Sequence, residues 1–147
     1  MQLEHRKPEI VNILLVDDDN VDAKAVQRAF KRAKIANPLY LARDGVEGLD
    51  MLRGGGGHTP LAKPYIIILD LNMPRMNGIE FLAELREDPN HRDAIVFVLT
   101  TSQADEDRAA SYDKHVAGYL VKSNVGDGFL DLVELLDRYW SIVQLPS

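Results

Sequence analysis

The 147-residue chain contains no cysteine. Disulfide scaffolds, thiol nucleophiles and Cys-ligated zinc are therefore excluded, and the absence fits a reducing compartment. Long hydrophobic runs are also missing. The most apolar stretch, residues 66–69, is far shorter than the roughly 20 residues a membrane-spanning helix requires. Residues 1–8 are polar and charged with no apolar segment behind them, so no signal peptide is expected. Positive charge is in deficit: 17 Lys and Arg against 23 Asp and Glu leave a formal charge of −6. Such a chain repels nucleic acid and anionic lipid, and neither is an expected partner. The glycine run at 54–57 has no Lys-Ser/Thr after it, which excludes a phosphate loop and leaves a loop insertion. What is present, 46% apolar and 27% charged residues, suits one soluble globular domain. The expectation is a cytoplasmic domain over 10–143, with tails at 1–9 and 144–147.

Short apolar runs alternate with segments of helical period. Residues 10–16, 65–69, 94–99 and 118–121 read as strands buried on both faces, and 39–42 is a shorter strand candidate. Helices are predicted over about 21–34, 45–53, 77–87, 103–114 and 127–143. In the first of these, Val26, Ala29, Phe30 and Ala33 share one face, while Lys24, Arg28, Lys31 and Arg32 lie away from it. Asp19 or Asn20 is placed to cap that helix, and Asn77 with Glu80 three residues on approaches a capping box. Asp105, Glu106 and Asp107 sit near a helix N-terminus, where the macrodipole favours negative charge. Five βα units imply a parallel sheet covered by helices on both faces.

The strands end in chemically active residues. Asp17 and Asp18 follow the first, Asp70 the third, Thr100 the fourth and Lys122 the fifth. In an open parallel α/β sheet, ligands bind beyond the carboxyl ends of the strands, near a topological switch point. Clustered carboxylates repel unless a cation neutralises them, and a hard divalent cation such as magnesium does so with oxygen ligands. No His or Cys stands at these ends, which argues against zinc. An ammonium and a hydroxyl beside the acids suit a phosphoryl group, whose transfer needs positioning and charge neutralisation. Asp70 is then the nucleophile of an acyl-phosphate reaction.

Four segments, in order, resemble bacterial response-regulator receiver domains: residues 13–19 (ILLVDDD), 66–78 (IIILDLNMPRMNG), 98–101 (VLTT) and 118–122 (GYLVK). The resemblance implies a flavodoxin-like (βα)5 fold, a doubly wound parallel sheet of order 2-1-3-4-5. It further implies Asp70 as phosphoacceptor, and a Mg2+ held by Asp18, Asp70 and the Asn72 backbone carbonyl, with Asp17 acting through water. Lys122 would pair with the phosphoryl group, and Thr100 and Tyr119 would form a switch pair. Such a chain is no enzyme beyond its own phosphoryl transfer and autodephosphorylation. It signals by protein–protein contact with a downstream protein the sequence does not name. Ser123 follows Lys122 where the family usually has proline, which leaves that peptide's geometry open, and Thr101 replaces a common alanine or glycine. Residues 99–102, 111–115, 122–123 and 139–140 further resemble small receivers paired with bacterial phytochrome kinases, implying a light-sensing histidine kinase as phosphodonor. The alternatives are an aspartyl-phosphate-type Mg2+-dependent phosphatase, disfavoured because position 72 is Asn rather than Asp, and a phosphate sink or scaffold.

Each residue also has a plainer reading. Taken alone, the Asp17–Asp19 run caps a helix, Lys122 is a solvated lysine and Tyr119 a core aromatic. His58, His91 and His115 read as surface residues. The last helix carries a core stripe plus a second apolar strip, Leu135, Tyr139 and Ile142. One sheet face does not need both, so a homodimer through this helix is expected.

Overall fold

The computed structural model describes residues 11–32, 35, 37–113 and 115–121. Lys122, the Lys122–Ser123 peptide, the expected last helix with Leu135, Tyr139 and Ile142, and both tails lie outside them. The elements run β1 (Asn12–Val16), α1 (Asn20–Arg32), β2 (Leu39–Ala42), α2 (Gly45–Arg53), β3 (Tyr65–Asp70), α3 (Gly78–Glu87), β4 (Ile95–Thr100), α4 (Gln103–Tyr112) and β5 (Gly118–Val121). All strand pairs are parallel, in the order β2-β1-β3-β4-β5. That is the expected doubly wound order.

Strand alternation divides the core into two layers. Ile13, Leu15, Ile66, Ile68, Phe97 and Leu99 point to one face and pack with Ala23, Val26, Ala29 and Phe30 of α1. Leu14, Val16, Ile67, Leu69, Val96 and Val98 point to the other, against Leu49 and Leu52 of α2, Phe81, Leu82 and Leu85 of α3, and Ala109 of α4. A sheet covered on both sides needs strands apolar at every position, which is why β3 is buried from end to end. Burying each such side chain stabilises by roughly 1.5–3 kcal/mol.

Local signals set the helix ends. In α1, Asp19 Oδ1 accepts from Val21 N at 2.8 Å. Asp44 Oδ1 caps α2 by accepting from Glu47 N at 2.9 Å, and Gly54 closes that helix at φ 84°, a conformation glycine adopts at no steric cost. The predicted capping box on α3 is complete: Asn77 Oδ1 accepts from Glu80 N at 2.9 Å and Glu80 Oε1 from Asn77 N at 3.1 Å. Helix α4 stops at Tyr112 rather than 114. Asp113 leaves the helix with extended backbone, and its carboxylate is taken by Arg86 of α3. Of α4 only Ala109 is buried. No helix among the described residues is long and apolar enough to cross a membrane.

Candidate functional site

The chain leaves β1 outward to β2 and returns on the other side for β3, so the sheet order reverses between β1 and β3. Val16 pairs with Leu69. The next residues, Asp17 and Asp70, therefore emerge side by side at the carboxyl ends of these strands. Asp17, Asp18 and Asp70 each offer a carboxylate oxygen, all within 4.8 Å of one another. Asp17 and Asp70 are buried, Asp18 exposed. Backbone amides orient two of the carboxylates: Asp19 N donates to Asp17 Oδ1 at 2.9 Å and Asn72 N to Asp70 Oδ1 at 3.2 Å. An all-oxygen, acidic donor set suits a hard divalent cation and not a soft one.

The loop after Asp70 forms one wall. Gly78 N donates to Leu71 O at 2.9 Å and Gly45 N to Met76 O at 3.2 Å, so the loop is stitched to its own helix and to the start of α2. Gly78 is required here: a Cβ would stand 2.6 Å from Leu71 Cα and 2.7 Å from Asp70 O. Arg75 adopts φ 63°, left-handed backbone that a non-glycine residue holds only when its surroundings compensate.

The end of β4 forms the opposite wall. Thr100 is buried, with Oγ1 directed at Leu120 O at 3.4 Å, a weak bond at the outer distance limit. Tyr119 pairs with Val98, two residues before Thr100, so Tyr119 and Thr100 point to the same sheet face. Tyr119 is half-buried and packs on the α2–α3 side; burial raises its hydroxyl pKa, with smaller contributions from Glu106 and Asp113. The sheet thus brings Asp17, Asp18, Asp70, Asn72, Thr100 and Tyr119 to one end of the molecule.

Four contacts were not foreseen in the sequence. Asp105 accepts at Oδ2 from Thr101 Oγ1 at 2.9 Å and from Asn72 Nδ2 at 3.2 Å, across the mouth of the site. The Thr101 hydrogen bond is the largest cause holding its carboxyl below the ordinary range, with burial opposing and Asn72 assisting. The i, i+4 spacing of Thr101 and Asp105 was a usable signal, whereas Asn72 is far away in sequence. Asp44 binds Arg75. His91, expected at the surface, is half-buried with Nδ1 2.6 Å from the Tyr65 hydroxyl.

Comparison with known proteins agrees with this geometry. Residues 13–134 match the model of the response regulator receiver domain family. The chain is 36% identical to response regulator Rcp1 of Synechocystis sp., over 100% of this chain and 99% of that protein. The Mn2+-bound form of Rcp1 superposes with a TM-score of 0.78 at 38% identity, covering 93% of this chain and 99% of that one. The phosphorylated cyanobacterial phytochrome response regulator RcpA gives 0.80 at 34% identity, covering 95% and 100%. With its sheet order, its acidic strand ends and these matches in agreement, the chain belongs to the family of response regulator receiver domains.

Proposed function

We propose that Asp70 accepts a phosphoryl group from the phosphohistidine of a sensor histidine kinase, with Mg2+ as the cation. An Asp70 carboxylate oxygen forms the new P–O bond as the P–N bond of the donor breaks, and the histidine leaves with the nitrogen's electron pair. Asp18, Asp70 and the Asn72 carbonyl hold the cation, and Asp17 assists through water. Bound there, the cation would supply charge neutralisation to the carboxylates and to the transferring oxygens. Lys122 pairs with the phosphoryl group. Thr100 gives up its weak bond to Leu120 O and turns toward a phosphoryl oxygen, and Tyr119 on the same sheet face turns inward after it. That biases a pre-existing equilibrium in the surface around α4 and β5. The chain's own chemistry is limited to this transfer and to hydrolysis of the Asp70 acyl phosphate, in which water takes the phosphoryl group as inorganic phosphate and the carboxylate is restored.

The observation that carries the reading is the convergence of Asp17, Asp18 and Asp70 to within 4.8 Å at the carboxyl ends of β1 and β3. A phytochrome-type kinase as donor is supported by RcpA, a phytochrome response regulator, and by the likeness to it over nearly the whole chain. A cytoplasmic setting, output by protein contact and a homodimer through Leu135, Tyr139 and Ile142 complete the proposal. The dimer rests on the apolar strip in the sequence.

Incubation with acetyl phosphate, with and without Mg2+, tests it. The expected product is an acid-stable, base-labile adduct that forms only with the cation and is absent from Asp70→Asn. Labelling that survives the substitution overturns the assignment. Sedimentation showing a monomer, with and without an acyl-phosphate mimic, overturns the dimer.

A further inference from the structure

Asp105 stands in the first turn of α4 and reaches both walls of the site. A single oxygen, Oδ2, accepts from Asn72 Nδ2 in the loop after Asp70 and from Thr101 Oγ1 directly after Thr100. Its backbone N–H donates to Ser102 Oγ at 3.2 Å, the N-cap bond of the helix. Its other oxygen lies 3.7 Å from Arg108 Nη2. One carboxylate thus ties a loop, a strand end and a helix start together. Among the described residues α4 has few other holds near its start, since Ala109 is its only buried residue and the Arg86–Asp113 pair lies at its other end. Asp107, two residues on, plays no part in the bridge and accepts from Gln103 Nε2 at 2.9 Å.

We propose that Asp105 is a positioning residue, a latch that holds Asn72, Thr101 and the start of α4 in the unphosphorylated arrangement. The proposal rests on the reading of Asp70 as phosphoacceptor. A phosphoryl group on Asp70 brings close to two negative charges and three strong acceptor oxygens into the mouth of the site. Those oxygens compete for the donors that Asp105 holds, the Asn72 amide and the Thr101 hydroxyl. The added charge also repels the Asp105 carboxylate. Any turn of Thr100 toward the phosphoryl group shifts Thr101, its neighbour in the chain. The latch therefore opposes phosphorylation, and by linkage phosphorylation opens the latch and frees the start of α4.

The sign of the effect separates a latch from an ordinary structural contact. Losing a structural contact weakens binding at the site, whereas losing a contact made only in the unmodified state strengthens it. The probe is beryllium fluoride with Mg2+, which stands in for the phosphoryl group on a carboxylate. It is titrated into the full chain and followed by the 19F resonance of the bound form, with thermal unfolding run in parallel. Asp105→Ala is expected to bind about three- to tenfold more tightly than wild type, the size that one or two released hydrogen bonds give. Asp107→Asn, which removes a charge from the same helix outside the bridge, is expected to stay within about twofold, as for an exposed charge. Unchanged or weaker binding by Asp105→Ala overturns the latch. So does equal tightening by Asp107→Asn, which makes the effect one of net charge. A wild-type chain that does not bind the probe, or an Asp70→Asn chain that binds it as well, overturns the phosphoacceptor assignment and the latch with it.

Discussion

Arg75 grips Asp44 with two parallel hydrogen bonds, Nε to Oδ2 at 2.7 Å and Nη2 to Oδ1 at 3.1 Å. The same carboxylate caps α2, so one residue joins that helix to the loop that follows Asp70. The Arg75 hydrogen bond is the largest cause lowering the Asp44 pKa; burial opposes it, and the Glu47 amide assists. A carboxyl with a depressed folded-state pKa stabilises above its unfolded value and loses that contribution as pH falls through the folded one. Asp44→Ala is expected to cost about 1 kcal/mol for the cap at pH 7. The gap to wild type should narrow below about pH 4, where carboxyls protonate. Urea denaturation at pH 7 and pH 3 measures it. A gap of the same size at both values would show that the charge of Asp44 is not what stabilises.

Gly78 allows the backbone of α3 to lie against that of Asp70 and Leu71. The atoms a Cβ would strike there are mostly backbone, which cannot swing aside. Gly78→Ala is expected to destabilise by about 1–3 kcal/mol, the usual size of an overpacked site. It should also slow labelling by acetyl phosphate, because the displaced segment carries Asp70, the proposed phosphoacceptor. Urea denaturation paired with the labelling rate checks both effects.

The largely buried Asp113 and half-buried Arg86 pair to join α3 to the end of α4. Arg86 Nε donates to Asp113 Oδ2 at 2.7 Å, and Nη1 donates to the carbonyls of Arg92 and Ala94, each at 2.8 Å. The two side chains are 17% and 3% exposed, so removing one leaves the other charged and desolvated. Asp113→Ala is expected to cost about 3–5 kcal/mol. The double substitution with Arg86→Met should cost clearly less than the two single losses added. A double-mutant cycle in urea reads this directly, and additive losses would mean that the pair is not coupled.

Tyr65 and His91 meet at the amino-terminal edge of the sheet. Burial pushes the Tyr65 hydroxyl up to about 12, so it keeps its proton, and its oxygen shares a hydrogen bond with His91 Nδ1 at 2.6 Å. Burial also lowers the His91 pKa; Asp88 opposes this, while Lys63 and Arg53 assist. A neutral imidazole is thus favoured by folding. Its contribution is full above the unfolded value of about 6.5 and is lost as pH falls through the folded one. Wild type is expected to lose stability between pH 7 and pH 5 more steeply than His91→Gln. Parallel slopes in thermal unfolding over that range would contradict it.

Much of this architecture was legible because its causes are local. Strand β2 and helix α2 have the expected bounds because Asp44-Gly45 carries a turn and a cap within the segment itself. The capping box on α3 needs only Asn77 and Glu80. The acidic cluster could be read because residues that end adjacent parallel strands must converge. Features set by distant partners could not. The end of α4 depends on Arg86 reaching Asp113, and the half-buried state of His91 depends on Tyr65. Strand β4 takes in Thr100 and begins one residue later than expected, because pairing with β3 and β5 decides which residues join the ladder. Asp105 looked like an acid favoured by a helix dipole, and only tertiary structure brings Asn72 to it.

The pairing of Val16 with Leu69 has a consequence for quality control. A slip of one residue between β1 and β3 would set Asp17 beside Leu71 or Leu69 instead of Asp70, and would turn one strand's side chains to the wrong layer of the core. The same apolar alternation that selects the register therefore proofreads the chemistry. A partly folded or misregistered chain lacks the assembled acidic triad, so a kinase that requires the triad would spend no phosphoryl groups on immature copies.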